Sequence, residues 1–165
     1  MVKWIGAAKT NFKPGRQIYK PKAIVIHIMG GSLAGTDAWF NNPAAMVSAH
    51  YGIGKNGEIH QYVKEEDTAF HTGKLNNPTW TGLIKGVNPN LYTLGIEHEG
   101  QPSVLWTSAM EDASTKLVYD LCKKYDIPMD VDHIIRHHEI YDLHNCPGPC
   151  WDKQTYIDKV KSYGT

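Results

Sequence analysis

The sequence predicts an α/β domain over residues 1–165, a β-sheet with a buried central strand and helices packed on it. Three observations carry this. The run Ala23-Ile24-Val25-Ile26-His27-Ile28 is rich in β-branched residues and bounded by Pro21 and Gly30-Gly31, the pattern of a strand buried on both faces. Asn56-Gly57 lies between two alternating segments, 48–54 and 58–63, which reads as a β-hairpin. Residues 108–125 place Met110, Ala113, Leu117, Leu121 and Cys122 close to helical spacing, so that helix offers one apolar stripe to a sheet face.

The remaining elements follow in order. The first nine residues hold too short an apolar stretch before Lys9 for a secretory signal, so synthesis in a cytoplasm without standard export is expected. Residues 37–42 read as a short helix stopped by Pro43, because the residue before proline disfavours helix. From 67 to 90 the chain is rich in Gly, Pro, Asn and Thr without periodicity, a long surface excursion of a length that is often functional. Residues 92–99 return as a strand. Ser108 is the expected N-cap of the next helix, with Glu111 three residues on as a capping box and Pro128 beyond its end. Ile134 and Ile135 lead into His137, and 151–163 reads as a closing helix. No repeat, low-complexity stretch or linker divides the chain, so one domain is expected.

Composition excludes some classes. Seventeen basic side chains balance seventeen acidic ones without a long charge run, so the footprint of a nucleic-acid binder is missing. No apolar run approaches the roughly 18 residues of a membrane span, and the longest, 23–29, is interrupted by His27. A domain of 165 residues buries roughly two-thirds of its unfolded surface, so a monomer needs neither disulfide nor structural metal, and any metal is functional. Three cysteines, Cys122, Cys146 and Cys150, suit a reducing compartment or a metal ligand, and pairing of Cys146 with Cys150 stays open.

The histidines matter by position. His27 lies in an apolar strand, where an imidazole without a partner costs on the order of 1 to 3 kcal/mol. A lone strand histidine is ordinarily a core side chain bonded to backbone. A second cluster, Arg136-His137-His138-Glu139, is followed by Cys146-Pro147-Gly148-Pro149. Catalytic zinc takes three protein ligands and keeps a position open, and His27, His137 and Cys146 would form such a set, joined only by tertiary structure.

Ile24-Val25-Ile26-His27, Ser48-Ala49-His50-Tyr51-Gly52-Ile53, Asn56-Gly57-Glu58-Ile59 with Gln61, Ala69-Phe70-His71-Thr72-Gly73, Leu94-Gly95-Ile96-Glu97, and His137-His138-Glu139-Ile140 with Cys146-Pro147-Gly148 occur in that order. Together they resemble the zinc-dependent N-acetylmuramoyl-L-alanine amidases, the superfamily of phage lysozyme-like amidases, AmpD-like enzymes and peptidoglycan-recognition proteins. The resemblance covers nearly the whole chain. It implies a mixed central β-sheet flanked by helices with a zinc cleft on one face, and Zn2+ held by His27, His137 and Cys146, with His138 outside the ligand set. It also implies peptidoglycan or muropeptide as substrate and hydrolysis of the amide between N-acetylmuramic acid and L-alanine.

The same resemblance makes Glu97 the proton shuttle. Strand alternation puts Glu97 and Glu99 on one face, opposite Ile96. His71, His50 and Trp80 are the expected substrate contacts. Two departures stand out: Ala49 replaces a tyrosine found before the histidine in phage lysozyme-like members, and His144 replaces a lysine or arginine two residues before the third ligand. His144 is therefore the candidate oxyanion donor. The implied setting is a phage or prophage endolysin, made in the cytoplasm and acting on the wall after release, with a wall-binding domain expected beyond Thr165. A cytoplasmic muropeptide-recycling amidase is the alternative. A noncatalytic peptidoglycan-binding module would typically lack the cysteine, a cysteine hydrolase of Cys146 and His137 would survive chelation, and a metal nuclease of His137, His138 and His144 lacks a basic surface.

Overall fold

The structure, a computed structural model, describes residues 1–165. Its main sheet has six strands: β1 (Val2–Trp4), β3 (Ala23–Ile28), β4 (Tyr51–Ile53), β5 (Ile59–Gln61), β7 (Thr93–His98) and β8 (Ile134–Arg136), in the order β1-β5-β4-β7-β3-β8. All neighbours are parallel except the β4/β5 hairpin. β2 (Phe12–Lys13) and β6 (Thr68–Ala69) form a separate antiparallel pair. The three helices are α1 (Leu33–Phe40), α2 (Ser108–Tyr125) and α3 (Lys153–Ser162). The fold is the mixed sheet flanked by helices that the sequence implies.

Alternation along the central strands sorts the sheet into two unlike faces. Ile24, Ile26, Leu94, Ile96 and Ile134 join α2 and α3 in the larger apolar cluster. Ala23, Val25 and Ile135 face the other way, against Trp80, Tyr92 and Ile140. That second face is covered only by α1 and loops, so the polar residues at its upper end open onto a cavity. α1 is tied down by Asp37, whose carboxylate accepts from Tyr62 Oη at 2.7 Å and lies 2.9 Å from His60 Nδ1.

Several boundaries differ from the sequence reading. α1 begins at Leu33 rather than 37, because Ser32 Oγ accepts the Gly35 amide at 3.1 Å and starts the helix one turn earlier. α2 spans 108–125 as expected, but its N-cap is Thr107, whose Oγ1 accepts from Met110 N at 3.2 Å. Glu111 is thereby one position too late for a capping box, and it pairs with Lys159 of α3 at 2.9 Å. The closing helix is shorter, Lys153–Ser162, and is capped by Asp152. β1, three residues long at a sheet edge and exposed throughout, is too short for its Val-Lys-Trp alternation to signal a strand and escapes sequence reading. The hairpin is as expected: Gly57 N–H donates to Gly54 O at 2.9 Å, and Gly57 takes φ +83° to turn the chain back to Glu58.

Glu65 joins the hairpin to the end of α2. Its buried carboxylate accepts from Tyr51 Oη, from Lys124 Nζ at 2.6 Å and from Tyr125 Oη at 2.5 Å. Burial alone would raise its pKa, but these three donors outweigh it and hold the carboxyl below its ordinary 4.5. A carboxylate depressed on folding contributes stability that is full above its unfolded pKa and lost as pH falls through the folded value. Glu65→Gln is therefore expected to melt lower than wild type at pH 7 and to lose less of its Tm between pH 5 and pH 3. Equal acid slopes for the two proteins would remove Glu65 from this role.

Candidate metal centre

The parallel strands β3, β7 and β8 bring their C-terminal ends to one edge, where open α/β sheets bind ligands. His27 is the penultimate residue of β3 and Glu97 is its partner across the ladder on β7. β8 ends at Arg136, so His137 opens the 3₁₀ turn His137–Glu139 at the same level, and the following loop returns Cys146 beneath it. One ligand atom from each of His27, His137 and Cys146 lies within 4.8 Å of the others. His27 Nδ1 is 3.9 Å from Cys146 Sγ, and the His27 and His137 ring centroids are 4.5 Å apart. The structure thus brings together the three residues that the sequence proposed as metal ligands.

Hydrogen bonding fixes which nitrogen of each ring is free. Thr93 Oγ1 gives its proton to Pro89 O at 2.8 Å, so it accepts at its 3.1 Å contact with His71 Nε2. His71 then carries its proton on Nε2, and its bare Nδ1 accepts from His27 Nε2–H at 3.1 Å. His27 Nδ1 is left as a lone pair facing Cys146. His137 Nε2 lies 3.1 Å from Thr72 O, which only accepts, so His137 also presents Nδ1 as a lone pair. Burial keeps these rings neutral: it lowers His27 well below its ordinary value, takes His71 down to about 3 and lowers His137. Burial raises the Cys146 thiol, the Glu97 charge adds to this, and the Ile28 amide donating to Sγ at 3.3 Å opposes it.

Two imidazole lone pairs and the Cys146 sulfur converge, and the only proton that can lie between them is that of the thiol, whose Sγ is 3.9 Å from His27 Nδ1. Once the thiol gives up its proton, such a set suits a bound cation, with each ring anchored through its far nitrogen as metal-binding histidines are. The residues fit a metal by the chemistry of the donor set.

Glu97 borders this set. Its Oε1 is 4.0 Å from His27 Nδ1, its side chain is 17% exposed, and its Oε2 has no hydrogen-bond partner. Burial pushes its pKa up to about 8, a value suited to proton exchange near neutral pH. Glu99 does not share the site. β7 ends at His98, and Glu99 Oε2 instead accepts from Lys55 N at 2.8 Å in the hairpin turn.

A cavity of about 710 Å³ opens over these groups, lined among others by Trp39, Met46, Lys74 and Gln101. His71 and His144 also line it. His144 is exposed and stacks on Tyr141 with centroids 5.1 Å apart, and Tyr141 stacks in turn near His137 at 6.1 Å. His138 is exposed, its Nδ1 3.0 Å from His144 O, outside the ligand set.

Two expected substrate contacts are placed elsewhere. His50 is fully buried behind His71: Gly95 N–H donates to its Nδ1 at 3.0 Å, and its Nε2 abuts the Arg16 guanidinium and Asp67 O. Trp80 packs on Val25 and Tyr92 in the smaller core, its indole N–H donating to Asp132 O at 2.8 Å. Both correct the sequence reading, which could not tell a ring under the cavity floor from one on it. The parts of Thr72, Asn90 and Thr93 were missed, because they are played by a backbone carbonyl in irregular chain, an amide oxygen in a short 3₁₀ turn and a hydroxyl at the first residue of β7.

Gly95 supports the same arrangement by close approach. A Cβ there would lie 2.5 Å from His71 Cγ and 2.6 Å from its Nδ1. Gly95→Ala is expected to push His71 off His27 and weaken metal binding by about 10- to 100-fold, read by competition with a chelating dye. Unchanged affinity would mean that His71 does not support His27.

Residues 17–149 match the family described as N-acetylmuramoyl-L-alanine amidase. The chain is 36% identical over 124 residues to N-acetylmuramoyl-L-alanine amidase A of Achromobacter lyticus, covering 73% of this chain and 61% of the relative. It is 34% identical over 116 residues to 1,6-anhydro-N-acetylmuramyl-L-alanine amidase AmpD of Haemophilus influenzae, covering 70% and 59%. The matches span about three-fifths of the length of these curated relatives. Among solved structures, a selenomethionine derivative of AmpD superposes with a TM-score of 0.79 at 22% identity, covering 96% of this chain and 93% of that one, a likeness of fold.

Proposed function

Because this chain belongs to the N-acetylmuramoyl-L-alanine amidase family, we propose that it hydrolyses the amide between N-acetylmuramic acid and L-alanine in peptidoglycan or its fragments. The observation that carries this reading is the convergence of His27, His137 and Cys146 beside a protonatable Glu97 at the floor of an open cavity. The metal is zinc, which mixed imidazole and thiolate sets favour. When bound, zinc polarises an amide carbonyl and acidifies water.

The remaining work falls to side chains. An amide yields only when water is deprotonated for attack and the departing amine is protonated. Glu97 does both, taking a proton on Oε1, the carboxylate oxygen that faces the ligand set, and returning it to the nitrogen. His71 and the Thr72 carbonyl hold the two ligand rings by their far nitrogens. His144, on the cavity wall, stabilises the developing oxyanion as a hydrogen-bond donor. Cys146 is not the nucleophile: burial raises its thiol pKa, whereas a reactive cysteine needs a lowered one.

No helix is long and apolar enough to cross a membrane, and the protein is read as a monomeric single domain acting on the cell wall as an endolysin. The printed name of AmpD, an amidase of 1,6-anhydro-N-acetylmuramyl-L-alanine, motivates the recycling alternative. The test incubates purified protein with intact peptidoglycan and with soluble anhydro-muropeptide, with and without chelator, and identifies the new ends. A free lactyl carboxylate and a free L-alanine amine are expected, lost on chelation and restored by zinc. Preference for intact wall fits the endolysin setting and preference for the soluble fragment fits recycling. Absence of those ends, or indifference to chelation, would overturn the proposal.

A further inference from the structure

Both candidate ligand histidines are held, through their far nitrogens, by one dipeptide. His27 Nε2 bonds the His71 ring and His137 Nε2 bonds the carbonyl of Thr72, the next residue. That dipeptide lies in an irregular part of the chain, with no ladder to fix it. Ser48 holds the preceding residue, Phe70, at its N–H and C=O, but the two amides of the dipeptide share a single acceptor: Asn90 Oδ1 accepts from His71 N and from Thr72 N, both at 3.0 Å. We propose that Asn90 is a positioning residue that sets the orientation of both His27 and His137 for the metal, by clamping the His71–Thr72 backbone.

Asn90 is itself held from several sides. It is 5% exposed, in the 3₁₀ turn Pro89–Leu91, and its amide donates to Asn88 Oδ1 at 2.9 Å. The buried Arg16 guanidinium donates through Nη1 to the carbonyls of Asn90, Leu91 and Thr93, each at 3.1 Å. Thr93, the acceptor for His71 Nε2–H, thus belongs to the same clamped segment. The turn and the strand that follows it therefore fix the His71–Thr72 peptides at their amides, through Asn90, and the His71 ring at Nε2, through Thr93. Without the Asn90 oxygen, two buried N–H groups lose their acceptor and the dipeptide is free to shift. A shift moves both rings together, unlike Gly95→Ala, which acts on His71 alone.

The inference rests on the metal site of the proposed function, but its test needs no substrate. Zinc affinity is measured by competition with a chelating dye, and ligand geometry by the visible spectrum of the cobalt-substituted protein. Asn90→Ala is expected to lose about 10- to 100-fold in zinc affinity and to change the cobalt spectrum. Asn90→Asp, which keeps an oxygen for both amides, is expected to recover most of the affinity. The melting temperature of the metal-free proteins separates this from a merely structural role, which would lower melting and leave zinc affinity as in wild type. If Asn90→Ala does not fold, Asn90→Ser, whose shorter hydroxyl serves one amide at most, is expected to bind zinc more weakly than wild type. Wild-type affinity in a folded Ala or Ser variant, or equal losses in Ala and Asp, would overturn the inference while leaving the amidase reading intact. A wild-type protein that binds no zinc would overturn the metal reading itself.

Discussion

Glu97→Gln is expected to retain zinc and to lose about 10²- to 10⁴-fold in turnover, the range that a positioned acid or base supplies. The substitution keeps shape and volume, so the ladder partner of His27 is preserved and the apolar face is untouched. What disappears is the ability to exchange a proton. In the metal-free protein, burial raises the Glu97 carboxyl to about 8, so it can gain and release a proton near neutral pH. No other carboxylate borders the ligand set, since Glu99 is engaged at Lys55. Release of free L-alanine amine ends is measured alongside zinc content. Wild-type turnover in a zinc-loaded Glu97→Gln protein would move the proton chemistry to another group.

The second large effect is expected from Cys146→Ala. As a metal ligand the cysteine would lose its proton and become the anionic member of the donor set, and the Ile28 amide donating to Sγ at 3.3 Å favours that charge. Removing it leaves two neutral imidazoles and opens the coordination to solvent. Zinc content after dialysis is expected to fall to background, with hydrolysis lost in parallel. Stability gives an independent readout: free zinc at a hundred times the wild-type Kd adds about 2.7 kcal/mol, which raises Tm by about 5 to 10 °C for a domain of this size. Cys146→Ala is expected to show little of that rise. A zinc-loaded Cys146→Ala protein with a wild-type thermal shift would remove the cysteine from the ligand set.

Much of the molecule is legible in the sequence because its signals are local. The β-branched run at Ala23–Ile28, the Asn-Gly turn and the apolar stripe of 108–125 each depend on residues a few positions apart, and each forms the expected element. Helix starts are less legible, because Ser32 and Thr107 cap through single hydrogen bonds that compete with equally plausible neighbours. The edge strand β1 is invisible because its pairing partner, β5, lies more than fifty residues away.

For the site, the sequence by itself determined the donor types: two histidines, a cysteine and a glutamate, each in a recognisable segment. Only the tertiary structure decided which groups meet. Parallel pairing of β3 with β7 and β8 places His27 beside Glu97 and near His137, a long-range register that no local spacing encodes. The same register buries His50 beneath His71 and sends Trp80 into the smaller core, although both resemble cleft residues when read in sequence. The free nitrogen of each candidate ligand ring was decided later still, by Thr93 acting through His71 and by Thr72, with Asn90 holding the backbone of both. Their contribution is a backbone carbonyl and single oxygens aimed in space, and hydrogen-bond direction exists only once the chain has folded.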